Sequence, residues 1–348
     1  MGGYKEFKLN EAWQVRKVRF MVITRVTLEA QNEQFLLDRK PTFLLGASYY
    51  GGLGASDEFV DVDLDELKKR GFNWIRVWAT WSAFGNNVSA VDSNGKAREP
   101  YLSRLKRLCE KANQSGMVVD VTLSRGNDVV GSGLLPSQEA HLNAVAVLAS
   151  ELMKFRNVYL DIANERNIKD RRHVTFEELR ALRNRIKELD PERLVTASHA
   201  GDIPAEDLRN YLEIVHVDFI SPHRPRNAES PRQTQAKTQE YLRLIKELGR
   251  SMPVHYQEPF RRDFGEWQPD AQDFLTDLEN AKRGGAAGWC FHNGDARARA
   301  DGRPRRSFDR RKSEGRLLDQ LDSAEEFVVE RVASIVFSGR NTSCRENP

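Results

Sequence analysis

The sequence predicts one α/β domain: a (β/α)8 barrel, the TIM-barrel architecture, with a short β-hairpin closing its N-terminal mouth. Three observations carry this expectation. Between residues 43 and 337, short apolar segments of strand type alternate with helical segments eight times, the pattern of a parallel sheet covered by helices. The strands are nearly continuous in apolar residues, as strands buried on both faces are. No Gly-x-Gly-x-x-Gly follows any of them, which weighs against an open dinucleotide-binding sheet. Eight units in roughly 300 residues suit a closed barrel better than a doubly wound sheet.

Taken in order, 26–37 reads as the hairpin, turned at Gln31-Asn32-Glu33. The first unit is a strand at 43–48 and a helix at 61–70, capped by Asp61 or Asp63 and stopped by Gly71. Strands at 73–78, 117–123 and 158–162 follow, with helices at 101–114, 137–155 and 175–189. The second half continues with strands at 194–197, 215–220, 254–257 and 287–291. Helices at 204–211, 231–248, 268–283 and 314–337 separate and end them. Residues 1–23 are expected to be an N-terminal extension, 24–337 the barrel and 338–348 a tail.

Composition sets broad limits. The chain has 348 residues, 39% hydrophobic and 30% charged, which fits a globular protein with a sizeable core. A formal net charge of +3 gives no argument for nucleic acid or a membrane surface as partner. Three widely spaced cysteines, Cys109, Cys290 and Cys344, make neither a disulfide framework nor a metal-type pair. Arg19 and Arg25 bracket the apolar residues 20–23 too closely for a secretory signal, so the expected location is cytoplasmic.

The chemistry is expected at the C-terminal ends of the strands. The fourth strand, Val-Tyr-Leu-Asp-Ile, runs into Ala-Asn164-Glu165, and the seventh, Val-His-Tyr-Gln, into Glu258. An apolar strand needs no carboxylate at its tip. Two presented from two strand ends are what glycosidic bond cleavage uses. The other strand ends carry Ser48, Tyr49 and Tyr50; Arg76, Trp78 and Trp81; Arg125 and Asn127; His199; His223 and Arg224; Tyr256; and Trp289, His292 and Asn293. Indole faces stack on sugar C–H surfaces, while amides and imidazoles hydrogen-bond hydroxyls. The structural alternatives are a Glu165–Arg166 pair, and Glu258 paired with Arg261 or Arg262 in a surface turn.

These motifs resemble clan-A glycoside hydrolases, closest in style to the family 5, cellulase-type barrels. The similarity spans roughly 40–337, carried by short motifs. It implies that Glu165 is the acid/base, Glu258 the nucleophile and Asn164 a ligand of the sugar 2-hydroxyl. It places Arg76 beside the nucleophile, His223 or Tyr256 as its hydrogen-bonding partner, and Trp289 as a stacking platform. Trp78 and His199 complete the expected substrate-binding set. The resemblance requires no cofactor and no metal. The chain departs from the family where Thr122-Leu123-Ser124-Arg125 stands in place of a third-strand histidine, and where Gln-Glu-Pro surrounds Glu258.

Two further expectations concern partners. The arginines of 297–312, with Arg224, Arg226, Arg261 and Arg262, lie either in a solvated loop or against the cleft, where they would favour an anionic sugar. A metal-dependent amidohydrolase would use His199, His223 and Asp295, but it needs a His-x-His on the first strand. Leu44-Leu45-Gly46-Ala47-Ser48 stands there. A barrel that binds saccharide or protein without turnover is the remaining alternative.

Overall fold

The computed structural model describes residues 26–124, 135–169, 172–294 and 305–337. The expected extension 1–23 and tail 338–348 lie outside them, as do Arg125, Asn127, Asp295 and the arginines at 297, 299 and 303. The described residues open with a small antiparallel sheet, β1 (Leu28–Gln31), β2 (Gln34–Leu37) and β3 (Lys40–Thr42). The first βα units follow as β4 (Leu44–Ser48), α1 (Asp57–Lys69) and β5 (Trp74–Trp78), then a short hairpin of β6 (Ser82–Ala83) and β7 (Asn86–Asn87). Next come α2 (Tyr101–Gln114), β8 (Val118–Ser124), α3 (Gln138–Leu152), β9 (Val158–Asn164) and α4 (Phe176–Leu189). The remainder is β10 (Val195–Thr196), β11 (Ser198–His199), α5 (Ala205–Asn210), β12 (Ser221–Pro222), α6 (Ser230–Glu247), β13 (His255–Tyr256), α7 (Ala271–Gly284), β14 (Gly288–Phe291) and α8 (Ser323–Phe337).

Seven strands form one parallel sheet in the order β10-β9-β8-β5-β4-β14-β13. The sheet curls, and the segment at 218–222 meets both of its edges. The Asp218 N–H donates to the Val195 carbonyl at 2.9 Å, and the His255 N–H to the Ile220 carbonyl at 2.9 Å. β12 adds a short parallel ladder on β11. Among the described residues, the main sheet thus has seven strands where eight were expected, in a curled sheet of TIM-barrel type.

Three elements differ from expectation. Residues 215–220 are not a strand: Tyr211–Val215 continue α5 as a π-helical turn, ended by His216 at φ 59°. Tyr211, Leu212 and Val215 are buried there, and a short apolar run fits a helix face as well as a strand. Helix α1 starts at Asp57 because the Ser56 side chain accepts from the Phe59 N–H. Asp63 is no cap; it is a buried side chain in mid-helix. The last helix starts only at Ser323. Residues 305–322 form a strap pinned by buried arginines, with Arg306 on Glu325 and Arg310 on Asp63.

Strand alternation sorts the side chains. Leu44, Trp74, Val118 and Tyr159, near the N-terminal ends of their strands, point into the barrel and cluster with Leu28 and Phe35 of the β1–β2 hairpin. The Phe35 ring lies edge-on to Phe219 at 5.0 Å and to His255 at 5.4 Å. Gly46 is required here, since a Cβ on it would come within 1.5 Å of the Trp74 indole. Residues one step along, such as Leu45, Ile75, Val119 and Leu160, face the helix layer and join the larger core. Among the described residues, no helix is long and apolar enough to cross a membrane.

Candidate active site

Above the aromatic floor, the next inward positions are polar, and they converge on Arg76. Its Nε lies 3.0 Å from Asp120 Oδ2 and donates to Thr122 Oγ1 at 3.0 Å. Nη2 donates to Asp161 Oδ2 at 2.7 Å and to Asn164 Oδ1 at 3.0 Å. Nη1 donates to Glu258 Oε1. Asp161 and Asn164 are three residues apart, yet both reach Arg76, because the β8–β9 register shifts between Thr122 and Ser124. Irregularities of this kind re-aim a side chain at a strand end. Gln257 donates to Asp120 Oδ2 at 2.8 Å and to the Tyr159 hydroxyl at 3.2 Å. Burial and the nearby Asp161 raise the Asp120 carboxyl above its usual range, against the pull of Arg76.

Glu258 sits on this platform with its side chain 5% exposed. Its Oε1 also accepts from the Tyr50 hydroxyl, and its Oε2 accepts from Arg226 Nη2 at 3.0 Å. Burial alone would raise its pKa. His223, Arg76 and His292 outweigh that and hold it well below the usual carboxylate range.

Glu165 approaches from the other side. Its backbone is left-handed, φ 49°, a conformation that costs a non-glycine residue about 1 kcal/mol or more. The Ser198 hydroxyl accepts from its N–H at 3.0 Å. Its Oε1 lies 3.2 Å from His223 Nδ1 and 3.3 Å from Arg226 Nη2. His223 Nδ1 is also 3.6 Å from Glu258 Oε2. One oxygen of each glutamate and a His223 ring nitrogen lie within 4.8 Å of one another. That donor set could in principle hold a cation. Arg76 and Arg226 already lie against the carboxylates, which works against a third positive charge.

The structure therefore brings Glu165, Glu258, Asn164, Arg76 and His223 together. Trp78 borders them, its ring 5.6 Å from that of Tyr50 and 5.1 Å from that of Trp81; its indole nitrogen is buried with no hydrogen-bond partner among the described residues. His199 stands behind His223, accepting the His223 N–H at its carbonyl, with its ring against Tyr211. Burial, Arg166 and His223 push His199 down to about 3, so it is neutral.

Tyr256 and Trp289 do not join the cluster. Both occupy outward positions on their strands. The Tyr256 hydroxyl meets Thr238 of α6 at 2.6 Å, and the Trp289 indole N–H donates to Asp277 of α7 at 2.7 Å. Each fastens the sheet to its helix layer. The structural pairs considered for the glutamates are not formed either. Arg166 stacks on Phe176 at 3.8 Å, and Arg262 binds Asp322 at 2.6 Å.

Asp120 and Asp161 support the site and were not expected there; Tyr50 and His292, noted only as strand-end residues, and Arg226 and Arg261, noted only as possible cleft arginines, also belong to it. Tyr50 continues the inward series Gly46, Ser48. A lone Asp in each of two apolar strands, Asp120 and Asp161, was a signal of an interior cation.

No family model matches the chain, and no curated protein does. Solved structures are similar. An endo-1,4-β-mannanase from Rhizomucor miehei gives a TM-score of 0.66 at 13% identity, over 90% of this chain and 99% of that one. The endo-1,4-β-D-mannanase of Thermotoga petrophila gives 0.61 at 16%, over 84% and 99%. A family 5 glycoside hydrolase from Bacteroides vulgatus gives 0.59 at 16%, over 78% of this chain and 62% of that one. Against two other glycoside hydrolase structures the chain spans 65% and 62% of their length. The fold of this chain is that of the clan-A, family 5-like glycoside hydrolases.

Proposed function

We propose that the chain is a retaining glycoside hydrolase that cleaves β-linked oligo- or polysaccharide, with residues 24–337 as its catalytic barrel. The observation that carries this reading is the approach of Glu165 and Glu258 from two separate strand ends to within 4.8 Å, oxygen to oxygen. Retaining enzymes hold their carboxyl groups about 5–5.5 Å apart, whereas inverting ones leave about 6.5–9.5 Å for a water. A pair of carboxylates this close is costly unless it is used.

In this reading Glu258, kept ionised by Arg76, Tyr50 and its other neighbours, attacks the anomeric carbon. Glu165 protonates the leaving oxygen as the glycosidic C–O bond breaks. The glycosyl ester on Glu258 is then opened by water, which Glu165 deprotonates. His223, within reach of both carboxylates, holds Glu165 in line. Asn164, fixed by Arg76, is placed to receive the 2-hydroxyl. The sugar takes the space that Arg226 now spans.

The test is proton NMR of the first product formed from a β-linked oligosaccharide panel. The β-anomer appearing first is expected. An α-anomer first would overturn retention, and no turnover of any β-glycoside would overturn the glycosidase reading. Glu165→Gln and Glu258→Gln are each expected to lower kcat by about 10²-fold or more.

A further inference from the structure

The charges around the carboxylate pair do not cancel. Most arginines near the site have a carboxylate partner: Arg76 has Asp120, Asp161 and Glu258; Arg226 has both glutamates; Arg224 has Asp202. Arg262 and Arg306 bind Asp322, and Arg310 binds Asp63. Arg261 is the exception. It is 5% exposed, and its one hydrogen bond among the described residues runs from Nη1 to His292 Nε2 at 3.3 Å. No carboxylate of a described residue lies within 4.0 Å of it. A buried cation without a counter-ion is expensive.

Among the described residues, one edge of the Arg261 guanidinium is left without a polar partner. Phe264 lies over one part of the guanidinium at 4.0 Å and Phe308 at 5.0 Å, and His292 takes Nη1. Nε is buried, and among the described residues neither Nε nor Nη2 has an acceptor. The Nε–Nη2 edge is the fork that receives a carboxylate through two parallel bonds. Arg261 is also close enough to the catalytic pair for their charges to act on it. Burial and Arg226 push it down to about 9, against the pull of Glu258, Tyr50 and Glu165.

We propose that Arg261 binds a carboxylate on the substrate, so that the cleft accepts a uronic acid residue next to Glu165 and Glu258. The proposal rests on the glycosidase reading for the reaction, and on the uncompensated Arg261 for the substrate class. Arg226, already against both glutamates, supplies the second positive charge. A neutral sugar leaves Arg261 unpaired and gains nothing from it.

The experiment is calorimetric binding of glucuronate, galacturonate and mannuronate, each beside its neutral parent sugar and the 6-sulfate of that parent. The proteins are the wild type, Arg261→Met and Arg261→Lys, all checked for melting temperature. One uronate is expected to bind at least tenfold tighter than its neutral parent. Arg261→Met should reduce that preference to within about threefold. If Arg261→Met does not fold, Arg261→Lys, which keeps the charge but not the fork, should still lose roughly tenfold. A wild type with no uronate preference, or a preference that survives in the variants, would overturn the proposal. A 6-sulfate binding as tightly as the uronate would overturn the carboxylate assignment. Turnover of neutral β-glycosides without uronate preference sinks only the Arg261 proposal. Uronate preference without turnover of any glycoside sinks only the glycosidase reading.

Discussion

Tyr50→Phe isolates the control of the nucleophile. Glu258 Oε1 accepts from Tyr50 and Arg76, and Oε2 accepts from Arg226. The substitution removes one donor and leaves the ring, which stacks on Phe308 at 5.4 Å and touches Trp81 at 5.3 Å. Burial and the Glu258 charge raise Tyr50 well above its ordinary value, so it remains a donor across the working range. Ionised Glu258 is the reactive form, and its pKa lies below the usual range. Activity is therefore lost only as pH falls through that depressed value, and the wild-type acid limb should lie below about pH 4. Removing a hydrogen bond to a charged group costs about 1.5 kcal/mol, or roughly one pH unit. The acid limb of kcat/KM, measured on any β-glycoside that the wild type cleaves, should rise by about that much while the alkaline limb stays in place. An unmoved acid limb, or equal movement of both limbs, would refute the role given to Tyr50.

Three shorter predictions concern the frame. Burial raises Asp277 to about 6, despite hydrogen bonds from Thr234 and Trp289. Its folded pKa lies above the unfolded value, so stability is greatest below about pH 4 and falls as pH rises through 4 to 6. The loss is about 3 kcal/mol. Asp277→Asn should flatten that fall in thermal melts taken from pH 4 to pH 7. Trp289→Phe should lower the melting temperature by leaving a buried Asp277 oxygen unpaired, at about 1–3 kcal/mol. It should also leave kcat/KM within about twofold; a large loss of activity at constant stability would return Trp289 to the cleft. Arg310→Met strands the buried Asp63 carboxylate and should cost about 3–5 kcal/mol, read as a lower midpoint in urea.

The barrel was legible because its signal is repeated: apolar strand and amphipathic helix recur along the chain, so an error at one boundary does not disturb the rest. The misses fall where local chemistry has two solutions. Val215, expected to begin a strand, instead ends the π-helical turn Tyr211–Val215, where it is as buried as a strand would make it. Ser56 competes with Asp61 and Asp63 for the cap of α1, and Asp63 is claimed by a partner far away in sequence, Arg310. Tyr256 and Trp289 show the limit of reading strand ends. On a two-residue period, a shift of one position decides whether a ring faces the cleft or the helices. Their hydroxyl and indole partners on α6 and α7 settle it.

The arginines show why a site can be half legible. Sequence displays Arg224, Arg226, Arg261, Arg262, Arg306 and Arg310 as similar residues near strand ends. Their partners separate them, and those partners lie up to 247 residues away, as Asp63 does from Arg310. Four of the six end on carboxylates or carbonyls of the frame and are spent on holding loops and the 305–322 strap in place. Arg226 ends on the glutamates and Arg261 on no carboxylate of a described residue. The same distinction applies to Arg76: two aspartates and a glutamate around one guanidinium leave the nucleophile sharing a cation rather than owning it. Glu258 is therefore held ionised by the whole ring of Arg76, His223, His292 and Tyr50, with Arg226 on its other oxygen. No single substitution in that ring should make the nucleophile titrate like an ordinary carboxylate.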